Sequence, residues 1–209
     1  MAITSTILRQ DSFEKANLVA LAVDSEGNEI VEPITLDEAK EHLNLKGVID
    51  DNDAMILSMI TAAREMAEGK LNRTLVRRVR EVAAPTWGKI ALHKPPFVQL
   101  ESVSYFDADG QSFDVDASDL SVSSIREPAT VSLRYGFSAP QLARQDEAII
   151  VRYTAGYAPG QVPRMIVQWM LLAIGAMYEN REAVVAGVSV ATLPDDYMKW
   201  FLQPYMVYE

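Results

Sequence analysis

Gln168 is the only polar side chain between Met165 and Tyr178, and this run limits the possible folds more than any other feature of the chain. A helix that is apolar nearly all round has to be covered on several sides. The run is too short to cross a bilayer, which takes roughly 20 residues. Its place is therefore a protein core or a subunit interface. Pro163 stands just ahead, and its fixed φ suits a first helical turn, so a helix is predicted from Pro163 to about Arg181. After residues 186–191, Pro194 opens a last short helix containing Tyr197, Trp200, Phe201 and Leu202.

Helical signals also mark the region from Thr35. Thr35 and Glu38 have the spacing of a capping box, and Leu36, Ala39 and Leu43 follow on one face. Asn44 to Gly47 ends this short helix. Asp50-Asp51-Asn52-Asp53 then places carboxylates at a second helix start, where the macrodipole favours them. Capping explains that cluster without a divalent cation. From Ala54 to about Leu71 the residues Ile56, Ile60, Ala63, Ala67 and Leu71 trace one apolar stripe. Arg64, Glu65, Glu68 and Lys70 are the polar positions around it.

The period changes near Thr74. Strands are predicted at Leu75–Ala83, Lys89–Leu92, Val98–Phe106, Ser112–Val115, Thr130–Arg134 and Ala148–Thr154, with turn residues between them. Asp107-Ala108-Asp109-Gly110 reads as a hairpin turn with Gly110 at positive φ. Residues 1–32 form an extension in which Leu18–Val23 and Ile30-Val31 suggest a strand, a turn and a strand. The expected fold is α+β: N- and C-terminal helices in a small bundle (residues 33–74 and 160–209) with a β-rich insertion at 75–159.

Composition removes several kinds of chemistry. The 209 residues contain no cysteine, which excludes disulfides, thiolate catalysis and Cys-based zinc sites. Met1 to Gln10 lacks the basic start and apolar stretch of a secretory signal, so none is expected. The net charge of −10 argues against a protein that grips nucleic-acid phosphates, which usually carries a basic face. It is compatible with a wall past which DNA slides. His42 and His93 are the only histidines, and neither is matched with a nucleophile or ligand set. The Asp107–Gly110 segment echoes a calcium loop, but Ser118 stands where a glutamate would be needed. Arg77, Arg78 and Arg80 form a compact basic cluster, read as a solvated strand face neutralised by acids such as Glu81. No catalytic residue, cofactor site or metal site is predicted.

Several stretches taken together resemble one family. Pro33-Ile34-Thr35-Leu36-Asp37-Glu38-Ala39-Lys40-Glu41-His42-Leu43 is similar to the opening helix of tailed-phage head–tail connector proteins. So is Ala62-Ala63-Arg64-Glu65-Met66-Ala67-Glu68 leading into Leu71-Asn72-Arg73-Thr74-Leu75. Thr154-Ala155-Gly156-Tyr157 with Pro163 resembles the family's sheet-to-helix junction. Tyr178-Glu179-Asn180-Arg181-Glu182-Ala183-Val184-Val185, Leu193-Pro194 and Pro204-Tyr205 continue the likeness. The resemblance runs in order from about Pro33 to Tyr205. Residues 1–32 and the ending Met206-Val207-Tyr208-Glu209 depart from it.

The resemblance implies a non-enzymatic virion protein of the neck, in a phage or a gene transfer agent. It implies an adaptor ring, typically a dodecamer, beneath the portal, with DNA passing through its lumen and a stopper or tail-completion protein docking on it. A stopper or tail-completion protein is the alternative, and a carboxylate-based hydrolase a remote one. Trp200, Phe201, Tyr205, Met206 and Tyr208 are the candidate docking residues for portal or neighbouring subunit, with core packing left open for the final segment. Trp169, Met170, Ile174, Tyr178 and Arg181 are the candidate ring-interface or bundle-core residues.

Overall fold

A computed structural model describes residues 21–23, 29–45, 52–180 and 195–208. Strands β1 (Leu21–Val23) and β2 (Glu29–Val31) pair antiparallel ahead of the first helix. Helix α1 (Leu36–His42) opens with the capping box its sequence announces: the Thr35 hydroxyl accepts from the Glu38 amide at 3.2 Å, and Glu38 accepts from the Thr35 amide at 2.9 Å. Helix α2 (Asp53–Leu71) starts after Asn52, whose side chain makes no cap. Asp53 instead pairs with Lys40 of α1. Asp50 and Asp51 lie outside the described residues.

The stripe on α2 is buried throughout. Ile56, Ile60, Ala63, Ala67 and Leu71 are all fully inaccessible to solvent. They share one core with Leu36 and Ala39 of α1, with Ile166, Trp169, Met170, Ala173 and Ile174 of α3 (Arg164–Glu179), and with Leu202 of α4 (Asp195–Leu202). Burying each large aliphatic side chain stabilises the fold by about 1.5–3 kcal/mol. Helix α3 has one fully buried stripe rather than burial on all sides. Its flanking Val167, Leu171 and Tyr178 are partly covered, and Met165 stays 42% exposed.

The β region forms two antiparallel sheets around a second core. One has the order β3-β9-β5-β6 and the other β4-β8-β7, with β3 at Arg78–Ala84, β4 at Ile90–Leu92, β5 at Phe97–Phe106, β6 at Ser112–Asp114, β7 at Leu120–Ser123, β8 at Ala129–Leu133 and β9 at Ile149–Ala155. Central β9 alternates cleanly: Ile149, Val151, Tyr153 and Ala155 are buried while Ile150, Arg152 and Thr154 are only partly covered. The inward set meets Ile90, Leu92, Val103, Leu120 and Val131 from both sheets. Six strands predicted from the sequence appear with ends shifted by up to three residues. Leu75 and Val76 fall outside β3: Leu75 packs into the helical core, and Val76 makes a single parallel bridge to Tyr157 where the antiparallel pairing of β3 with β9 has not yet begun. Strand β7 went unpredicted because only Leu120 is buried; Ser121, Val122 and Ser123 are exposed and offer no apolar alternation.

Candidate functional site

The described residues that link helices to sheets meet at the C-terminal end of α2. Asn72 caps that helix in the left-handed conformation, at φ 54°, which asparagine tolerates better than most residues. The next residue, Arg73, is 9% exposed and reaches two other parts of the chain. Its Nη1 donates to Glu127 Oε1 at 3.0 Å, on the loop between β7 and β8, and its Nε donates to the carbonyl of Tyr205 at 2.5 Å. The Val207 amide donates to the Leu71 carbonyl at 3.0 Å. Thr74 then ties the same turn to the β4–β5 loop, its amide donating to the Pro95 carbonyl and its hydroxyl to the Lys94 carbonyl. Tyr157 lies half-buried beside Arg73. Burial pushes its phenol above the ordinary tyrosine range, outweighing the arginine's opposite pull.

A second polar assembly is buried beneath this joint. Glu32, just after β2, accepts from Arg64 Nε at 2.9 Å and from the Thr61 hydroxyl at 3.0 Å. Arg64 also donates to Glu68 at 3.3 Å. Glu68 accepts in turn from Arg78 at 2.6 Å and from the Leu75 amide at 2.7 Å. Two carboxylates and two guanidiniums thus alternate from the N-terminal hairpin through α2 to β3. The α2 pattern places Arg64 and Glu68 among the polar positions around the apolar stripe. They are 3% and 8% exposed, and the network explains why: each buried charge has opposite charges and further hydrogen bonds around it. Their i,i+4 spacing was the visible signal. Glu32, far off in sequence, gave none.

The three basic residues divide between a partly buried pair of neighbours and an exposed one. Arg78 belongs to the buried network and Arg80 donates to the Thr74 hydroxyl at 2.7 Å, with burial lowering its pKa. Arg77 is exposed, and Glu81 pairs with Arg152 rather than with the cluster. The Asp107–Gly110 turn joins β5 to β6 as predicted. The Asp107 carboxylate accepts from the Asp109 and Gln111 amides, and Gly110 has φ 77°. His42 packs close to Gly175 of α3, and the His93 backbone carbonyl accepts from Tyr153 Oη at 2.7 Å. Among the described residues no three histidine or carboxylate groups converge as a metal site.

The candidate docking residues fall into two sets. Phe201, Tyr205 and Met206 pack partly buried against the helical core. Trp200 and Tyr208 are 74% and 80% exposed. Among the other candidates, Trp169, Met170 and Ile174 are buried inside the chain's own core and Tyr178 is partly buried against it. The indole N–H of Trp169 has no hydrogen-bond partner among the described residues. Arg181 lies outside the described residues.

Residues 33–105 match a family model described as phage gp6-like head-tail connector protein. These are α1, α2 and the first part of the sheet region. No curated protein matches the chain in sequence. Among solved structures the fold is similar to a chain in the neck of an empty gene transfer agent particle, with TM-score 0.66 and 19% identity over 85% of this chain and 91% of that one. A chain in the virion of the native gene transfer agent particle gives TM-score 0.65 and 19% identity over 91% and 95%. A chain in the native particle's neck, computed with C12 symmetry, gives 0.60 and 20% over 82% and 87%. The resemblance to head–tail connector proteins that the sequence displays is therefore matched both by a family model over residues 33–105 and by the fold of neck and virion chains of a gene transfer agent.

Proposed function

We propose that this chain is a structural protein of the neck of a phage-like particle, a head–tail connector subunit that assembles into a ring beneath the portal. The observation that carries this reading is the pairing of the connector-family match over residues 33–105 with a fold likeness spanning most of the chain and most of each neck protein. A twelvefold arrangement is the ring size proposed, in line with the symmetry of one of those particles. In this reading residues 33–74 and 160–209 form a helical scaffold, 75–159 an inserted β lobe, and 1–32 an extension.

The acidic balance of the chain, −10 overall, supports a lumen that DNA traverses without adhering, because like charge repels the phosphates. Exposed Trp200 and Tyr208 are the proposed contacts to the portal or a neighbouring subunit, since large exposed aromatics of this kind mark docking surfaces. Tyr205 and Val207 are hydrogen-bonded to the end of α2, so truncating residues 203–209 would disturb the joint as well as any docking surface. Trp200→Ser with Tyr208→Ser is the cleaner variant.

Cryo-electron microscopy of the particle neck tests the reading. The expected result is a closed ring of this chain in direct contact with the portal. Density for the chain below an intervening ring would assign it instead to a stopper or tail-completion role, and a chain that stays a folded monomer with its portal present would overturn the connector reading.

A further inference from the structure

The two ends of the β-lobe sheet differ in chemistry. Between Glu101 and Ile125 the sequence has Asp107, Asp109, Asp114, Asp116 and Asp119 but no lysine or arginine. This stretch holds the β5–β6 hairpin, which carries Asp107, Asp109 and Asp114, then the turn with Asp116 and Asp119 and strand β7 of the other sheet. Strand β6 is an edge of its sheet and all three of its residues are exposed. Phe113, at its centre, is 47% exposed and stacks on Tyr105, ring to ring at 5.7 Å. The hairpin is thus an apolar knob surrounded by carboxylates.

Past the other end of the same sheet, where the chain enters β3 and leaves β9, lies a groove of about 230 Å³. Val31, Pro33, Leu75, Val76 and Tyr157 supply much of its lining, and exposed Arg77 is on its wall. It is mostly apolar with exposed Arg77 on its wall, so its chemistry complements the apolar centre and carboxylates of the hairpin. A rotational ring requires such a pair, because each subunit must present two different surfaces that fit each other.

We infer that the occupant of this groove is a second copy of this chain: the acidic hairpin of one subunit seats Phe113 in the groove of the next, with its aspartates facing Arg77. This rests on the ring reading above and gives it a named contact. The apolar lining beside an exposed arginine suits an apolar side chain flanked by carboxylates, which the hairpin of a second copy supplies. Repeating one knob and one groove around an axis builds a closed ring without any self-symmetric contact.

The absence of native cysteine makes a direct test possible. In the full-length chain, Phe113→Cys combined with Val31→Cys should give, on oxidation or with a short bis-maleimide, a ladder of covalent oligomers. Either single variant should give none. Native mass measurement of the uncrosslinked wild type reports separately whether rings form. Rings without a ladder overturn the contact while leaving the ring reading intact. Dimers from Phe113→Cys alone also overturn it, since they mean a two-fold contact. A wild type that stays monomeric even with its portal present, together with no ladder from the double-cysteine variant, sinks both. Charge reversal supplies a second arm. Arg77→Glu and Asp114→Arg should each weaken self-association about tenfold, and the double reversal should restore it. Both positions are exposed, so the variants are expected to fold. A double reversal no better than the singles would count against the pairing.

Discussion

Glu32 and Arg64 form an ion pair sealed from solvent, Oε2 to Nε at 2.9 Å, with side chains 0% and 3% exposed. The pair joins the segment after the N-terminal hairpin to the middle of α2, and through Glu68 to Arg78 at the start of β3. Removing Arg64 leaves Glu32 as an uncompensated buried charge, which costs about 3–5 kcal/mol. Removing Glu32 leaves Arg64 paired with Glu68 and costs less. Glu32→Gln and Arg64→Met should each lower the urea midpoint accordingly. The double variant Glu32→Leu with Arg64→Met should recover much of the loss, because a well-packed apolar pair replaces a buried ionic one at little net cost. Additive losses in the double variant would mean that the two residues act independently.

Gly156 has φ 116°, and a Cβ there would stand 2.3 Å from the Val76 carbonyl oxygen. Its amide also donates to the Pro96 carbonyl at 2.9 Å. Relief would require moving the backbone where the β9 exit passes the entry to β3. Gly156→Ala should therefore destabilise by at least about 3 kcal/mol, through strain and clash together. Gly88→Ala, where nothing lies within 4 Å of the added carbon, is the matched control and should stay near wild type in thermal unfolding.

The Arg73 contacts predict where the C-terminal segment is held. Arg73→Ala removes a donor to the Tyr205 carbonyl and the pair with Glu127. The Glu127 side chain is 42% exposed, so that pair contributes at most about 1 kcal/mol. The carbonyl left without its buried donor adds about 1–3 kcal/mol. Hydrogen exchange should report this locally. The Val207 amide, held by the Leu71 carbonyl, should lose protection in Arg73→Ala while the Ile60 amide, deep in α2, keeps its own. Equal loss at both positions would mean global destabilisation instead of release of the tail.

Periodicity made much of this fold legible. The α2 stripe and the Thr35 capping box fix their helices locally, through spacing that any reader of the chain can count. The Asp107–Gly110 turn carried its own chemistry in the same way. What stayed hidden depends on partners distant in sequence. Glu32 carries no local sign that it neutralises Arg64, and Leu120–Ser123 has only one buried residue, so alternation could not reveal it as a strand. The aromatic tail divides for the same reason. Trp200 and Phe201 are neighbours in sequence, yet one is largely exposed and the other packs against the helical core.

Tyr157 gives the joint a pH signature. Burial raises its phenol above the ordinary value of 10.0, so in the folded chain the neutral form is favoured. Above about pH 10 the unfolded chain loses this proton while the folded chain retains it. The unfolded state then binds fewer protons, and stability falls as pH rises through that window; below it the contribution is complete. Tyr157→Phe removes the ionisation but keeps the ring that lines the groove. Urea unfolding at about pH 8 and about pH 11 should show a smaller loss for Tyr157→Phe than for wild type. Lys70→Gln, at an exposed position on α2, serves as a control for general charge effects. An identical loss in Tyr157→Phe and wild type would mean that the alkaline instability arises elsewhere in the molecule.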